Sequence, residues 1–262
     1  MNAFAIAAMF GYSCAFYGSI RKLKHEHLMN PNIWVGLSVF AVMMHAVCLW
    51  LVMVTPDGQN FSITNVISLV NLCISALITL SIFNFKSLSI APAVYLCSVA
   101  SVAILSLLPT QSMKYLELSP ELLAHVALSV IAYSILMISV LYALQLQVSK
   151  YLLKQKKSIL RSWLPPLVTI EKQVINLVGF GALLLSLSLL TGFLFLEHFI
   201  GGGMGHKTIL SLSAWAVYMA MLWQHFKYGC TPRMAVVYTL AGASLLTLAY
   251  FGARIVKELV LS

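Results

Sequence analysis

The chain has 262 residues, 61% hydrophobic and 9% charged, with a formal charge of +9 and only seven acidic side chains, Asp57 and six glutamates. A soluble domain carries about 25% charged residues, and a disordered chain combines low hydrophobicity with high charge. With a mean hydropathy of +0.93, the composition leaves a polytopic membrane protein.

A spanning helix needs roughly 20 mostly apolar residues, about 30 Å at ~1.5 Å per residue. Eight segments meet that requirement, predicted at 2–20, 32–54, 62–83, 88–108, 120–147, 174–196, 208–226 and 234–253. The expected fold is all-α, a single transmembrane domain over 1–262 with eight helices. In the first segment the basic residues follow the apolar run and no small-residue cleavage site is evident, so it reads as a retained helix rather than a signal peptide. A membrane barrel would show segments of about ten residues alternating in polarity. Residues 182–195 read ALLLSLSLLTGFLF, without that alternation. Helices satisfy their own backbone in lipid.

Charge sets the expected orientation. With the N-terminus outside, the inner loops hold twelve basic residues: Arg21, Lys22, Lys24, Lys86, Lys150, Lys154, Lys156, Lys157, Arg161, Lys172, Lys227 and Arg233. The outer side holds four, Lys114, Lys207, Arg254 and Lys257. The positive-inside rule then puts both termini outside, which in a bacterial inner membrane is the periplasmic side. The +9 is thus a topology signal, and nucleic acid is not an expected partner.

The longest connection, 148–173, is a basic inner linker dividing helices 1–5 from 6–8. Leu152, Leu153, Ile159, Leu160 and Trp163 stand among its lysines. An interfacial amphipathic helix on an anionic leaflet has this pattern, as does a solvated linker. Pro165-Pro166 ends whatever helix precedes it. Helix 5 has a start signal: Ser119 as N-cap, Pro120 at the first helical position and Glu121 near the positive helix end. Pro109 marks the end of helix 4. Gly201-Gly202-Gly203 follows no strand and is not a nucleotide-binding fingerprint.

Cys14, Cys48, Cys73 and Cys97 lie within spans and Cys230 in an inner loop. Without CxxC there is no thiol relay, and without CxxCH no covalent haem attachment by that motif. The thiols read as small core hydrophobes. Hydrolase, zincin and P-loop signatures are absent. No acidic residue sits deep in a span, which weighs against an ion-coupled transporter. The chain is expected to be non-enzymatic.

Histidine remains. His25 and His27 are inner-loop residues, and His198 and His225 read as interfacial. His45 lies mid-helix in VFAVMMHAVCLW, at a depth where polar groups face a bundle interior or a cavity. A carbonyl, Asn65, Asn71 or another polar helix residue would be its expected partner. His125 lies one turn into helix 5, with Ser129 and Tyr133 at i+4 and i+8 on one stripe. His206 opens helix 7. Two neutral imidazoles near one surface can ligate a haem iron axially, and each also reads as an interfacial polar residue. Zinc prefers three or four protein ligands. Trp34 and Trp50, towards opposite ends of helix 2, are placed as belt residues. Trp215 lies mid-helix 7, three residues before Tyr218, where packing or the wall of a porphyrin pocket would each use it.

The stretch Leu123-Ala124-His125-Val126 through Tyr133 resembles the His-Val…Tyr pattern of the cytochrome c assembly family, the haem-handling integral membrane proteins. Similarity continues at Glu171, Thr191-Gly192, Lys207, Trp215 with Tyr218, and Tyr250-Phe251-Gly252. It covers about half the chain, from helix 5 to helix 8, and His206-Lys207-Thr208 resembles the HemX-like branch. The resemblance implies non-covalent haem binding or movement at the outer face, with His125 on an outer haem ligand. His206 or His45 is the candidate second ligand, and Lys207 a candidate propionate partner. Cytochrome maturation proteins and membrane lipids are the implied partners. Two family features are missing. Residues 200–207 read IGGGMGHK, without the family's tryptophan-rich segment, and the C-terminus, FGARIVKELVLS, has no histidine. These losses motivate a second expectation, an accessory or scaffold subunit of another membrane complex, for example a transporter.

Overall fold

The computed structural model describes residues 2–24, 31–55, 58–82, 88–107, 115–116, 119–155, 165–195, 205–229 and 231–252. His25, His27, Pro109, Trp163, His198, the glycine run 201–203, Cys230, Arg254 and Lys257 lie outside the described residues. The helices are α1 (Asn2–Leu23), α2 (Pro31–Met53), α3 (Ile63–Ile82), α4 (Ala91–Leu107), α5 (Pro120–Lys154), α6 (Leu167–Phe195), α7 (Gly205–Tyr228) and α8 (Pro232–Thr247). A π-helical turn, Leu248–Gly252, continues α8.

Six of these helical stretches are long and apolar enough to cross a membrane: α1, α2, α3, α5, α6 and α8 with its π turn. α4 is an apolar helix of 17 residues, about 26 Å at ~1.5 Å per residue. α7 begins Gly-His-Lys-Thr and ends Gln-His-Phe-Lys-Tyr, and these polar ends dilute its apolar middle. Large apolar side chains are exposed on all eight helices, among them Phe10, Met43, Leu80, Leu107, Leu144, Phe193, Ile209 and Val237. A water-soluble surface does not carry so much exposed apolar area; lipid accepts it.

One departure from an all-helical chain is small. β1 (Val54–Thr55), β2 (Gly58–Asn60) and β3 (Tyr115–Leu116) form an antiparallel sheet in the order β1-β2-β3. Thr55 pairs with Gly58, and Gly58 has φ 122°, a conformation that glycine adopts without a Cβ penalty. Strands of two or three residues leave no alternation for a sequence pattern to register.

The linker is shorter than expected. Residues 148–154 continue α5, and 167–173 already belong to α6. Nothing between Gln147 and Lys154 breaks a helix, so α5 runs on for 35 residues, about 52 Å at ~1.5 Å per residue. Leu152 and Leu153 are therefore part of α5 rather than of a separate interfacial helix. The start of α5 is as expected: Ser119 accepts from the Leu122 amide at 3.3 Å, with Pro120 following. Thr231 and Pro232 repeat the device at α8, where Thr231 accepts from the Met234 amide at 3.3 Å. Pro165-Pro166 stand immediately before α6, and the Pro166 carbonyl accepts from the Thr169 amide at 2.9 Å.

The chain forms two compact units, Met1–Glu117 with Ser162–Pro165, and Leu118–Arg161 with Pro166–Ser262. α5 therefore groups with α6–α8, not with the helices before it. In the first unit α1 packs on α2 and α4, and α3 on α2 and α4, closing a ring of four. Ala5, Ala8, Tyr12, Ala15 and Ser19 form its buried stripe on α1. A Cβ on Gly11 would lie 2.8 Å from Ala41 Cβ, so the two backbones approach closely there, as small residues allow between helices in lipid. In the second unit α5 packs on α6 and α8, and α7 on α6 and α8. There a Cβ on Gly242 would meet the Tyr218 ring at 2.5 Å, and one on Gly181 would meet Leu136 at 2.7 Å.

Candidate functional site

His125 sits half-buried on α5 against α6. Its Nδ1 lies 2.9 Å from the Ser188 carbonyl oxygen and 3.2 Å from Thr191 Oγ1. A carbonyl can only accept, so Nδ1 carries the proton and donates. The Thr191 hydroxyl donates to the same carbonyl at 2.9 Å, leaving its oxygen free to accept from Nδ1–H. In the neutral ring this puts the lone pair on Nε2. Among the described residues no hydrogen bond engages Nε2, and it is not among the enclosed unsatisfied atoms. A ligating histidine usually donates its other ring N–H to a carbonyl or carboxylate, which fixes its orientation and raises its basicity.

Below His125 the stripe continues as expected. The Ser129 hydroxyl donates to the His125 carbonyl at 2.8 Å and accepts from the Ser188 hydroxyl at 2.6 Å. Tyr133 donates to Thr247 Oγ1 on α8 at 2.8 Å, because the Thr247 proton is spent on the Ala243 carbonyl. The Tyr133 ring also meets Tyr250 at 5.4 Å and Phe251 at 6.4 Å between centroids, both on the π turn. π turns recur at functional sites. Tyr218 is fully buried on Gly242 with its hydroxyl unpartnered.

The other expected site residues fall as follows. His206 is exposed at the start of α7, and no hydrogen bond or ring contact joins it to His125. Lys207 is half-buried beside it. Trp215 Nε1 donates to Ser186 Oγ on α6 at 2.8 Å, so its indole joins α7 to α6. His225 keeps its ring against Phe226 at 5.4 Å. No group of three or more His, Cys, Asp or Glu side chains suited to a metal ion occurs among the described residues. Trp50 is 65% exposed, as a belt residue would be, but Trp34 is 2% exposed. Trp34 is a core residue, with the Lys22 ammonium 5.6 Å from its ring centroid. Cys97 is exposed, unlike the buried Cys48.

His45 belongs to the other unit and is fully buried. Its partners are neither Asn65 nor Asn71. Nε2 lies 2.8 Å from Ser68 Oγ, and Nδ1 lies 3.2 Å from the Tyr12 hydroxyl. The Tyr12 hydroxyl is 2.9 Å from Ser75 Oγ, which donates to the Leu72 carbonyl at 2.9 Å. With a neutral ring, that carbonyl gives one consistent set of directions. Ser75 donates to Leu72, Tyr12 to Ser75, His45 Nδ1–H to Tyr12, and Ser68 to Nε2. Both nitrogens of His45 are used, so it offers no lone pair to a metal unless the Ser68 bond is given up.

Comparison with known proteins matches the cytochrome c assembly protein family over residues 34–261. The similarity thus reaches well before helix 5, further than the motif residues alone indicate. The inner membrane protein YpjD of Escherichia coli K12 is 35% identical over 263 residues, covering 99% of this chain and all of the relative. An uncharacterised 28.8 kDa protein from the nifR3-like 5' region of Azospirillum brasilense is 33% identical over 140 residues, 52% of each chain. No solved structure matches. With its membrane-spanning helices, the match over most of the chain and the full-length relative, this protein is a multi-pass membrane member of the cytochrome c assembly family.

Proposed function

We infer that the protein handles haem non-covalently in the bacterial inner membrane, in support of c-type cytochrome maturation, and that it is not an enzyme. The carrying observation is the hydrogen bond at His125 Nδ1. Nδ1–H is committed to the Ser188 carbonyl, which leaves Nε2 as a neutral nitrogen donor suited to haem iron. Tyr133, on the same α5 stripe, meets Tyr250 and Phe251 of the π turn, and such rings suit a porphyrin face. When bound, haem would supply an iron centre suited to imidazole nitrogen. His125 and His206 would hold it, Lys207 is the candidate propionate partner, and Trp215 braces α7 on α6. His45, the other candidate, would have to give up its bond to Ser68 to serve. In this reading α4 and α7 also cross the membrane, giving eight crossings with both termini outside and the basic residues mostly inside. The outer start of α7, with His206, resembles the HemX-like branch.

The test is an absorption spectrum of protein purified in mild detergent after haem supply. The expected result is a Soret band that His125→Ala removes and His206→Ala shifts or weakens. Absence of a band, or a band indifferent to both substitutions, overturns the reading. The exposed, unpaired position of His206 favours the second reading, an accessory or scaffold subunit. That reading requires a stable co-purifying membrane partner and histidine variants without phenotype.

A further inference from the structure

We propose that the α1–α4 unit is a proton-transfer path, with the proton as the transported species, along the hydrogen-bonded seam Ser68–His45–Tyr12–Ser75. This does not rest on the haem reading, which concerns α5–α8.

The seam follows one face of α3. Asn65, Ser68, Ser75 and Thr79 are all buried. From Asn65 to Thr79 the helix rises about 21 Å at ~1.5 Å per residue, against ~30 Å of hydrocarbon. Each of the other helices adds to it: Tyr12 from α1, His45 from α2, and Tyr95 from α4. The Tyr95 hydroxyl meets Thr79 Oγ1 at 3.0 Å, and its ring lies 6.0 Å from that of Tyr12. At the sheet end, Asn65 donates to the Asn60 carbonyl at 2.9 Å, while its side-chain oxygen is enclosed without a partner. The titratable side chains of the seam are His45, Tyr12 and Tyr95. No carboxylate, lysine or arginine is buried among the described residues.

A packing role does not need this composition. Helices in lipid associate through close contact of small residues, and hydrogen bonds between them add little. An imidazole at depth is costly and usually marks a pathway. Its distinguishing property is that it accepts a proton on one nitrogen while releasing one from the other. The arrangement matches that property. Ser68 passes its hydroxyl proton to Nε2 and is reprotonated from the Asn65 side. The Nδ1–H proton moves to the Tyr12 oxygen, the Tyr12 proton to Ser75, and the Ser75 proton leaves from its place on the Leu72 carbonyl. Every group ends neutral and one proton has advanced. A proton must be taken up from, and given off to, water at the two ends of the four-residue core.

The experiment reconstitutes the full-length protein into liposomes enclosing a pH-sensitive dye and applies a potassium diffusion potential with valinomycin. The expected result is internal pH change faster than in protein-free vesicles, lost in His45→Phe and in Tyr12→Phe. Tyr12→Phe keeps the ring and removes only the hydroxyl, so it reads the path even where His45→Phe fails to fold. Tyr238→Phe, which deletes a hydroxyl bonded to Gln224 in the other unit, is expected to keep the wild-type rate. A wild-type rate equal to protein-free vesicles, or one that a folded Tyr12→Phe retains, overturns the proposal.

Discussion

In α1–α4 the His45 ring is fully buried and both of its nitrogens are hydrogen-bonded. In α5–α8 the His125 ring is half-buried and only one nitrogen is engaged. Both lie on long apolar helices, and both are held by serine- or threonine-bearing neighbours. What separates them is the partner at the second nitrogen. Ser68 closes the ring of His45 into a relay that ends on a carbonyl. Ser188 and Thr191 hold His125 from one side and leave the other edge open. Composition and depth therefore do not distinguish these two histidines; the count of their hydrogen-bonded nitrogens does.

The sharpest way to break this comparison is to remove each ring. His45→Ala is expected to leave the Ser68 hydroxyl without an acceptor and Tyr12 without a donor, at about 1–3 kcal/mol for each buried group left unsatisfied. His125→Ala is expected to cost less than half as much, because a half-buried site admits water. Thermal unfolding in detergent checks the order, and an equal loss in both variants contradicts it.

Next in size come the close approaches. Gly242→Ala is expected to destabilise by about 1–3 kcal/mol through overpacking, since the new Cβ would lie 2.5 Å from the fully buried Tyr218 ring. Gly179→Ala, with nothing within 4 Å of its Cβ, is expected to stabilise α6 by roughly 0.5–1 kcal/mol. The same unfolding measurement separates them by sign.

The smallest effect is expected at the lower end of the His125 stripe. Tyr133→Phe removes the hydrogen bond to Thr247 and is expected to cost about 0.6 kcal/mol, the average for an interhelical bond in a membrane. It keeps the ring against Tyr250 and Phe251, so haem absorption is expected to be unchanged. A lost Soret band in that variant would give the hydroxyl a direct part in binding.

Much of the fold was legible because lipid imposes a coarse rule: long apolar runs, with charge at their ends. The eight helices lie where the runs lie, and Ser119-Pro120 marks a true start. The rule says nothing about helix ends that leave the lipid, so α5 continuing to Lys154 and α6 starting at Leu167 were not readable from hydropathy. Nor does loop length reveal which helices touch, and α5 joins α6 across a long connection. His125 was legible from its motif and its stripe, but Ser188, 63 residues away on another helix, was not. For His45 the sequence offered a carbonyl, Asn65, Asn71 or another polar helix residue without choosing among them. The face of α3 that turns inward chose Ser68, and α1 supplied Tyr12.

Cavity rescue tests the central claim most directly. Haem is supplied to His125→Gly and to His45→Gly, with and without added imidazole, and the Soret region is recorded. The expected result is a band lost in His125→Gly and restored by imidazole, which fills the vacated position at the iron, and a band retained in folded His45→Gly. A band that survives His125→Gly without imidazole, or that disappears in folded His45→Gly, would contradict the assignment of His125 as the open histidine.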